Sequence, residues 1–198
     1  ALDRFTVVLD ACTLFPMLVR DVLLTLAGHE FFNPKWSALI RAEWMRNLSQ
    51  RLGEPSFDGK TVMRVQRIAA AMDAAFPDAA IEFECAQAAI LAPVHVKDRH
   101  VVAAAMAVQA DAIVTFNIAD FAAAHLKEHL QIEVIHPDDF VKDLVDLHEK
   151  RAVSAFRELR ARKQNPPWAP NDLIQRLRKS GLVQTSLWLS TEDVVALI

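Results

Sequence analysis

The sequence predicts an α/β fold with a parallel sheet covered by helices, and three observations carry that reading. A continuous apolar run, Val7-Val8-Leu9, ends in Asp10, as a buried parallel strand does on reaching the carboxyl edge of its sheet. A second run, Asp111-Ala112-Ile113-Val114-Thr115-Phe116, delivers Asn117 and Asp120 at its own carboxyl end. Strand-like and helix-like patterns alternate along the chain, which is how helices come to cover a parallel sheet.

Residues 5–10 form the first strand. Pro16 opens a helix through Met17, Leu18, Val22, Leu23 and Leu26, ended by Gly28. Residues 30–34 read as a short second strand. Ser37 is a good N-cap for a helix through Leu39, Ile40, Glu43, Trp44 and Leu48 that stops near Gly53. Apolar spacing makes 61–76 helical, while 81–92 fits strand and helix alike. Asp98 stands where it can cap a helix over 99–109, and 111–116 and 132–135 are further strands. After Pro137 the residues Phe140, Val141, Leu144, Val145, His148, Ala152, Phe156 and Leu159 recur at helical spacing. That predicts one long amphipathic helix to about Lys163. Asn165-Pro166-Pro167-Trp168-Ala169-Pro170 breaks it. A short helix over 172–179, an apolar stretch over 182–189 and a capped turn from Ser190 follow. The expected organisation is one domain over 1–137 and an α-helical C-terminal extension over 138–198.

At 198 residues and 53% hydrophobic, the chain can bury a full core. A formal net charge of -3 argues against dense, non-specific coating of nucleic acid, though not against a local basic face. Cys12 and Cys85 make neither a disulfide framework nor a zinc site, so a reducing, cytoplasmic home is expected. No apolar stretch approaches the roughly 20 residues of a membrane span, and Ala1-Leu2-Asp3-Arg4 lacks a signal-peptide layout.

Asp10, Glu43, Asp98 and the pair Asn117 and Asp120 come from separate elements, a pattern suited to a hard divalent cation. Magnesium and manganese favour oxygen ligands. Each acid also has an ordinary alternative: Asp10 a helix N-cap, Glu43 a solvated acid paired with Arg41 or Arg46, Asp98 an N-cap. Asp111 begins its strand, the wrong edge for a site, and reads as a turn residue. Asp120 follows Asn117 by one turn, so its side chain can return to the same spot. An anionic oxygen favours Asp120 as the ligand, with Asn117 orienting it, Asp98 or a water.

Val8-Leu9-Asp10-Ala11-Cys12-Thr13-Leu14, the helix-borne Glu43, Lys97-Asp98-Arg99-His100-Val101-Val102 and Ala110-Asp111 through Asp120-Phe121 together resemble the PIN-domain family. The likeness is to the VapC-type toxins of bacterial toxin–antitoxin pairs, over roughly residues 5–136. It implies a PIN-like, Rossmann-like three-layer α/β/α sandwich. It further implies a Mg2+- or Mn2+-dependent endoribonuclease with an RNA substrate, a VapB-type antitoxin and homodimer formation. By position in the blocks, the family's acids carry over to Asp10, Glu43 and Asp98, and Asp120 joins the expected metal ligands. Thr13 and Thr115 are read as holding a carboxylate or phosphate oxygen, or as plain strand-end turn residues. Lys97 and Arg99 beside Asp98 offer charge to substrate phosphates. Lys150, Arg151, Arg157, Arg160, Arg162 and Lys163 make the tail helix basic, which suits either RNA or a solvated face. His95 and His100 read as surface-facing.

The chain departs from the family at Cys12, where relatives often have Asn, and a thiol cannot make an amide's hydrogen bonds. At Asn117 many relatives carry an acid, and the tail after 137 exceeds a minimal PIN domain. Other classes fit less well. A haloacid-dehalogenase-type phosphatase wants a second Asp where Cys12 stands, and a receiver-like module gives Glu43 no role. An inactive PIN-fold interaction protein is the remaining alternative.

Overall fold

The computed structural model describes residues 5–53, 59–82 and 89–198, so Cys85 and half of the ambiguous 81–92 segment lie outside the described residues. The chain divides into two compact units, Ala1–Phe15 with Asn33–Ile135 and Pro16–Phe32 with His136–Ile198.

The first unit holds a sheet of five strands, β1 (Thr6–Leu9), β2 (Asn33–Ser37), β3 (Ala80–Ile81), β4 (Ala112–Val114) and β5 (Glu133–Ile135). All pairings are parallel, in the order β3-β2-β1-β4-β5. Val7, Val8 and Leu9 pair with Ala112, Ile113 and Val114 at the centre, and five of these six are fully buried. That explains why both runs are apolar at every position rather than alternating. The order reverses direction between β1 and β4, so the crevice beyond their carboxyl ends is the switch point where α/β sheets gather function.

Helices α1 (Ala11–Leu14), α3 (Ala38–Leu52), α4 (Gly59–Ala75), α5 (Arg99–Ala107) and α6 (Ala123–Leu130) complete the unit. α5 packs on β1, β2 and β4, α6 on β5, and α3 on β2, α1 and α4, the expected α/β sandwich. Ser37 ends β2 and caps α3, its hydroxyl accepting from the Ile40 N–H at 3.2 Å. Trp36 and Trp44 are among the largest fully buried side chains. The second strand lies three residues later than the 30–34 expectation. The helix before it closes with Glu30 at φ 63° and a Phe31 N–H donated to the Leu26 carbonyl. Asp111 is the turn residue expected: its Oδ2 accepts from the Thr6 N–H at 2.8 Å.

The second unit is helical: α2 (Met17–Gly28), α7 (Pro137–Leu147), α8 (Glu149–Ala161), α9 (Pro170–Lys179), α10 (Val183–Leu189) and α11 (Glu192–Val195). The single helix expected from 140 to 163 is two helices. His148, at φ -155° and ψ 70°, ends α7 through its N–H to the Leu144 carbonyl and starts α8 through its own carbonyl to Ala152. Four cations of that stretch are engaged inside the unit. Lys163 pairs with Asp21, Arg162 bonds Thr25, Arg160 donates to the Trp168 carbonyl and Arg157 to that of Leu197. Among the described residues no helix is long and apolar enough to cross a membrane.

Candidate active site

Asp10 is the first residue beyond β1, 4% exposed, and its backbone N–H still donates to the Val114 carbonyl at 3.1 Å. The N-cap reading of this residue holds. Its Oδ1 caps α1 by accepting from the Ala11 N–H at 2.7 Å, and its Oδ2 faces β4. There the Thr115 hydroxyl donates to Oδ2 at 2.7 Å and is itself a partner of the Asn117 N–H at 3.0 Å. The two strand ends are thus joined through one carboxylate oxygen, and Thr115 is the residue that grips it. Thr13 does the turn work instead, its hydroxyl donating to the Asp10 carbonyl at 2.7 Å.

The Cys12 sulfur lies 3.2 Å from Asp10 Oδ2, 3.3 Å from Thr115 Oγ1 and 3.3 Å from the Phe116 nitrogen, which donates to it. The thiol thus makes contacts of its own at both strand ends. Burial and then the Asp10 charge push its pKa up to about 12, so the group is a neutral S–H at physiological pH.

Asp98 occupies the N-cap position of α5, yet its side chain makes no capping bond. Its carboxyl, 18% exposed, is pushed above the ordinary carboxylate range by burial first, then by Asp10, Asp120 and Glu43, with His95 opposing. Four acids thus share one electrostatic neighbourhood. Among the described residues no three His, Cys, Asp or Glu side chains stand close enough together to hold a metal ion as they are. The donor set is nonetheless the hard, all-oxygen set that Mg2+ or Mn2+ takes, and its mutual repulsion is what a dication would relieve.

Glu43 does not take the helix pairing expected for a solvated acid. Arg41 bonds Asp73, and Glu43 Oε2 lies 3.5 Å from His100 Nε2. His100 is a residue sequence reasoning missed, since its side chain is 17% exposed rather than surface-facing. Its phase was the available signal, because it precedes the buried Ala104 by one helical turn. His95 is half exposed as expected, with Nδ1 3.4 Å from Asp98 Oδ2.

The segment before α5 is tied down. The His95 N–H donates to the Asp120 carbonyl at 2.8 Å, and the Arg99 guanidinium donates to the carbonyls of Val94 and Ala92, both at 3.0 Å. Lys97 is exposed beside it. Asp120 is exposed in a 3-10 turn, Ile118–Phe121, that begins at the equally exposed Asn117. It does not cap a helix starting near Phe121, because α6 starts at Ala123 after a left-handed Ala122.

Comparison with known proteins agrees with this geometry. Residues 137–190 match a family model described as the VapC50 C-terminal domain. A protein of Mycobacterium tuberculosis named "Putative ribonuclease VapC50" is 40% identical over 83 residues, which are 42% of this chain and 48% of that protein. The chain thus spans about half the length of the curated relative it matches. No solved structure matches. Residues 6–119, which contain the sheet's switch point with Asp10, Glu43 and Asp98, match the model described as the PIN domain, and the chain belongs to the PIN-domain family.

Proposed function

We propose that this chain is a divalent-metal-dependent endoribonuclease, the toxin of a VapBC-type toxin–antitoxin pair. The observation that carries the reading is the Asp10 carboxylate at the carboxyl end of β1, its Oδ2 held by the Thr115 hydroxyl from beyond β4, at the switch point of the sheet. The matching PIN model and the ribonuclease named among its relatives support the same activity.

Asp10, Glu43, Asp98 and Asp120 would hold Mg2+ or Mn2+, and the first three are the catalytic acids. The ion supplies Lewis-acid charge to a scissile phosphodiester and acidity to an attacking water. The chain's own residues prepare that chemistry. Thr115 and the Ala11 N–H fix the Asp10 carboxylate, with Thr13 holding the turn beneath it. Asp98 makes no capping bond, and its carboxylate would join the ligand set. Asn117, at the start of the turn that carries Asp120, orients that acid or a water. Lys97 meets the phosphates of RNA, while Arg99 adds charge to the loop whose carbonyls it holds.

In this reading residues 1–137 supply the catalytic part and 138–198 the helical extension. The VapB-type antitoxin and a second copy of the chain are its partners, in the cytoplasm. The experiment is cleavage of a single-stranded RNA by the wild type and Asp10→Asn, with EDTA and with Mn2+ restored. Cleavage is expected in wild type with Mn2+, falling at least about 100-fold with EDTA or in the variant. Cleavage that survives both overturns the reading.

A further inference from the structure

We infer that Cys12 is a positioning residue for Asp10, its sulfur bridging the end of β1 to the end of β4 so that the carboxylate is presented in one orientation. The inference rests on the reading of Asp10 as a metal ligand. The Asp10 carboxylate has three donors, and they are not equivalent. The Ala11 N–H comes with the start of α1, whatever side chain stands at position 12. The Thr115 hydroxyl comes from the residue just beyond β4 and fixes only one oxygen. Cys12 acts on that same Oδ2 while also accepting the Phe116 N–H. One sulfur atom therefore reads the positions of both strand ends at once.

Hydrogen counting assigns the roles. The Thr115 hydroxyl hydrogen goes to Oδ2 at 2.7 Å, and the single S–H goes to Oδ2 at 3.2 Å. The 3.3 Å sulfur–oxygen contact between Cys12 and Thr115 is then packing that keeps the two donors side by side. Partners of this kind, one bond removed from a metal ligand, typically change metal affinity by about 10- to 100-fold when lost.

The test titrates Mn2+ calorimetrically into the full-length wild type, Cys12→Ala, Cys12→Ser and Asp10→Asn, with metal-free melting recorded for each. Cys12→Ala should bind Mn2+ about 10-fold more weakly. Cys12→Ser should stay within about 3-fold of wild type, because a hydroxyl donates and accepts at the same place. A loss in Cys12→Ala that serine rescues, with metal-free melting alike in both variants, separates positioning from mere packing. Wild-type affinity in Cys12→Ala overturns the role. If Cys12→Ala does not fold, Cys12→Ser decides: a 10-fold loss with unchanged melting overturns the hydrogen-bonding account. Wild-type affinity in Asp10→Asn instead overturns the underlying reading of Asp10, a distinguishable failure.

Discussion

Asp98 shows how one side chain carries a conflict that folding creates. Burial and the charges of Asp10, Asp120 and Glu43 raise its carboxyl, and His95 offsets a part. The folded state therefore keeps this proton to higher pH than the unfolded chain does. Between the ordinary carboxylate value and the raised one, the folded state binds more protons, so stability falls as pH rises through that interval and stays reduced above it. Asp98→Asn removes the penalty. In EDTA it should melt above wild type at pH 7, with the gap closing as pH is lowered toward about 4; a gap independent of pH would remove the explanation. Asp10 and Thr115 were legible in the sequence because each follows directly on a wholly apolar run. The thiol bond of Cys12 was not, since it exists only where β1 and β4 lie side by side. Nor was the inward turn of His100, whose partner is on another helix.

Among elements, the sequence reading succeeded where a cap or a breaker is a single residue and failed where phase continues through a break. Ser37 caps α3 as its hydroxyl predicts, and Pro16 stands directly before α2. The interruption at His148 was invisible because Val145 and Ala152 lie seven residues apart, so the apolar stripe keeps its phase across the joint. The start of α10 was equally hidden. It is capped from a distance by the buried Asp138, whose Oδ1 accepts from the Thr185 N–H at 3.0 Å and hydroxyl at 2.8 Å, and whose Oδ2 accepts from the Gln184 N–H at 2.7 Å. No local pattern reveals a cap 46 residues away in sequence. Asp138→Ala should cost about 3 kcal/mol, because three bonds to a charged acceptor go and backbone donors are left behind. Urea unfolding followed by tryptophan fluorescence measures it. A change under about 0.5 kcal/mol, the range of ordinary surface substitutions, would show the cap to be idle.

At the scale of the whole molecule, the strand order explains why acids far apart in sequence share one field. β1 and β4 are neighbours although more than 100 residues separate them, so Asp10 and the turn after β4 meet at one edge of the sheet. The parallel sheet was legible from alternation, but the grouping of residues 16–32 with the C-terminal helices was not. That grouping depends on which helices bury against each other, and periodicity does not encode it. The edge argument yields a discriminating prediction. Asp10 and Asp111 flank the sheet's opposite ends, one beyond β1 and one before β4, bonded to Thr6. A dication held at the carboxyl end stabilises whatever state binds it, by about 2.7 kcal/mol at 100 times its Kd. For a chain of this length that is a rise in melting temperature of about 5 to 10 °C. Wild type should show this rise with Mn2+, and Asp111→Asn should show the same increment on whatever baseline the lost Thr6 bond leaves. Asp10→Asn should show little. Differential scanning calorimetry of the three proteins with and without Mn2+ gives the answer. Equal increments in all three would place the ion elsewhere, and a loss confined to Asp111→Asn would move the site to the other end of the sheet.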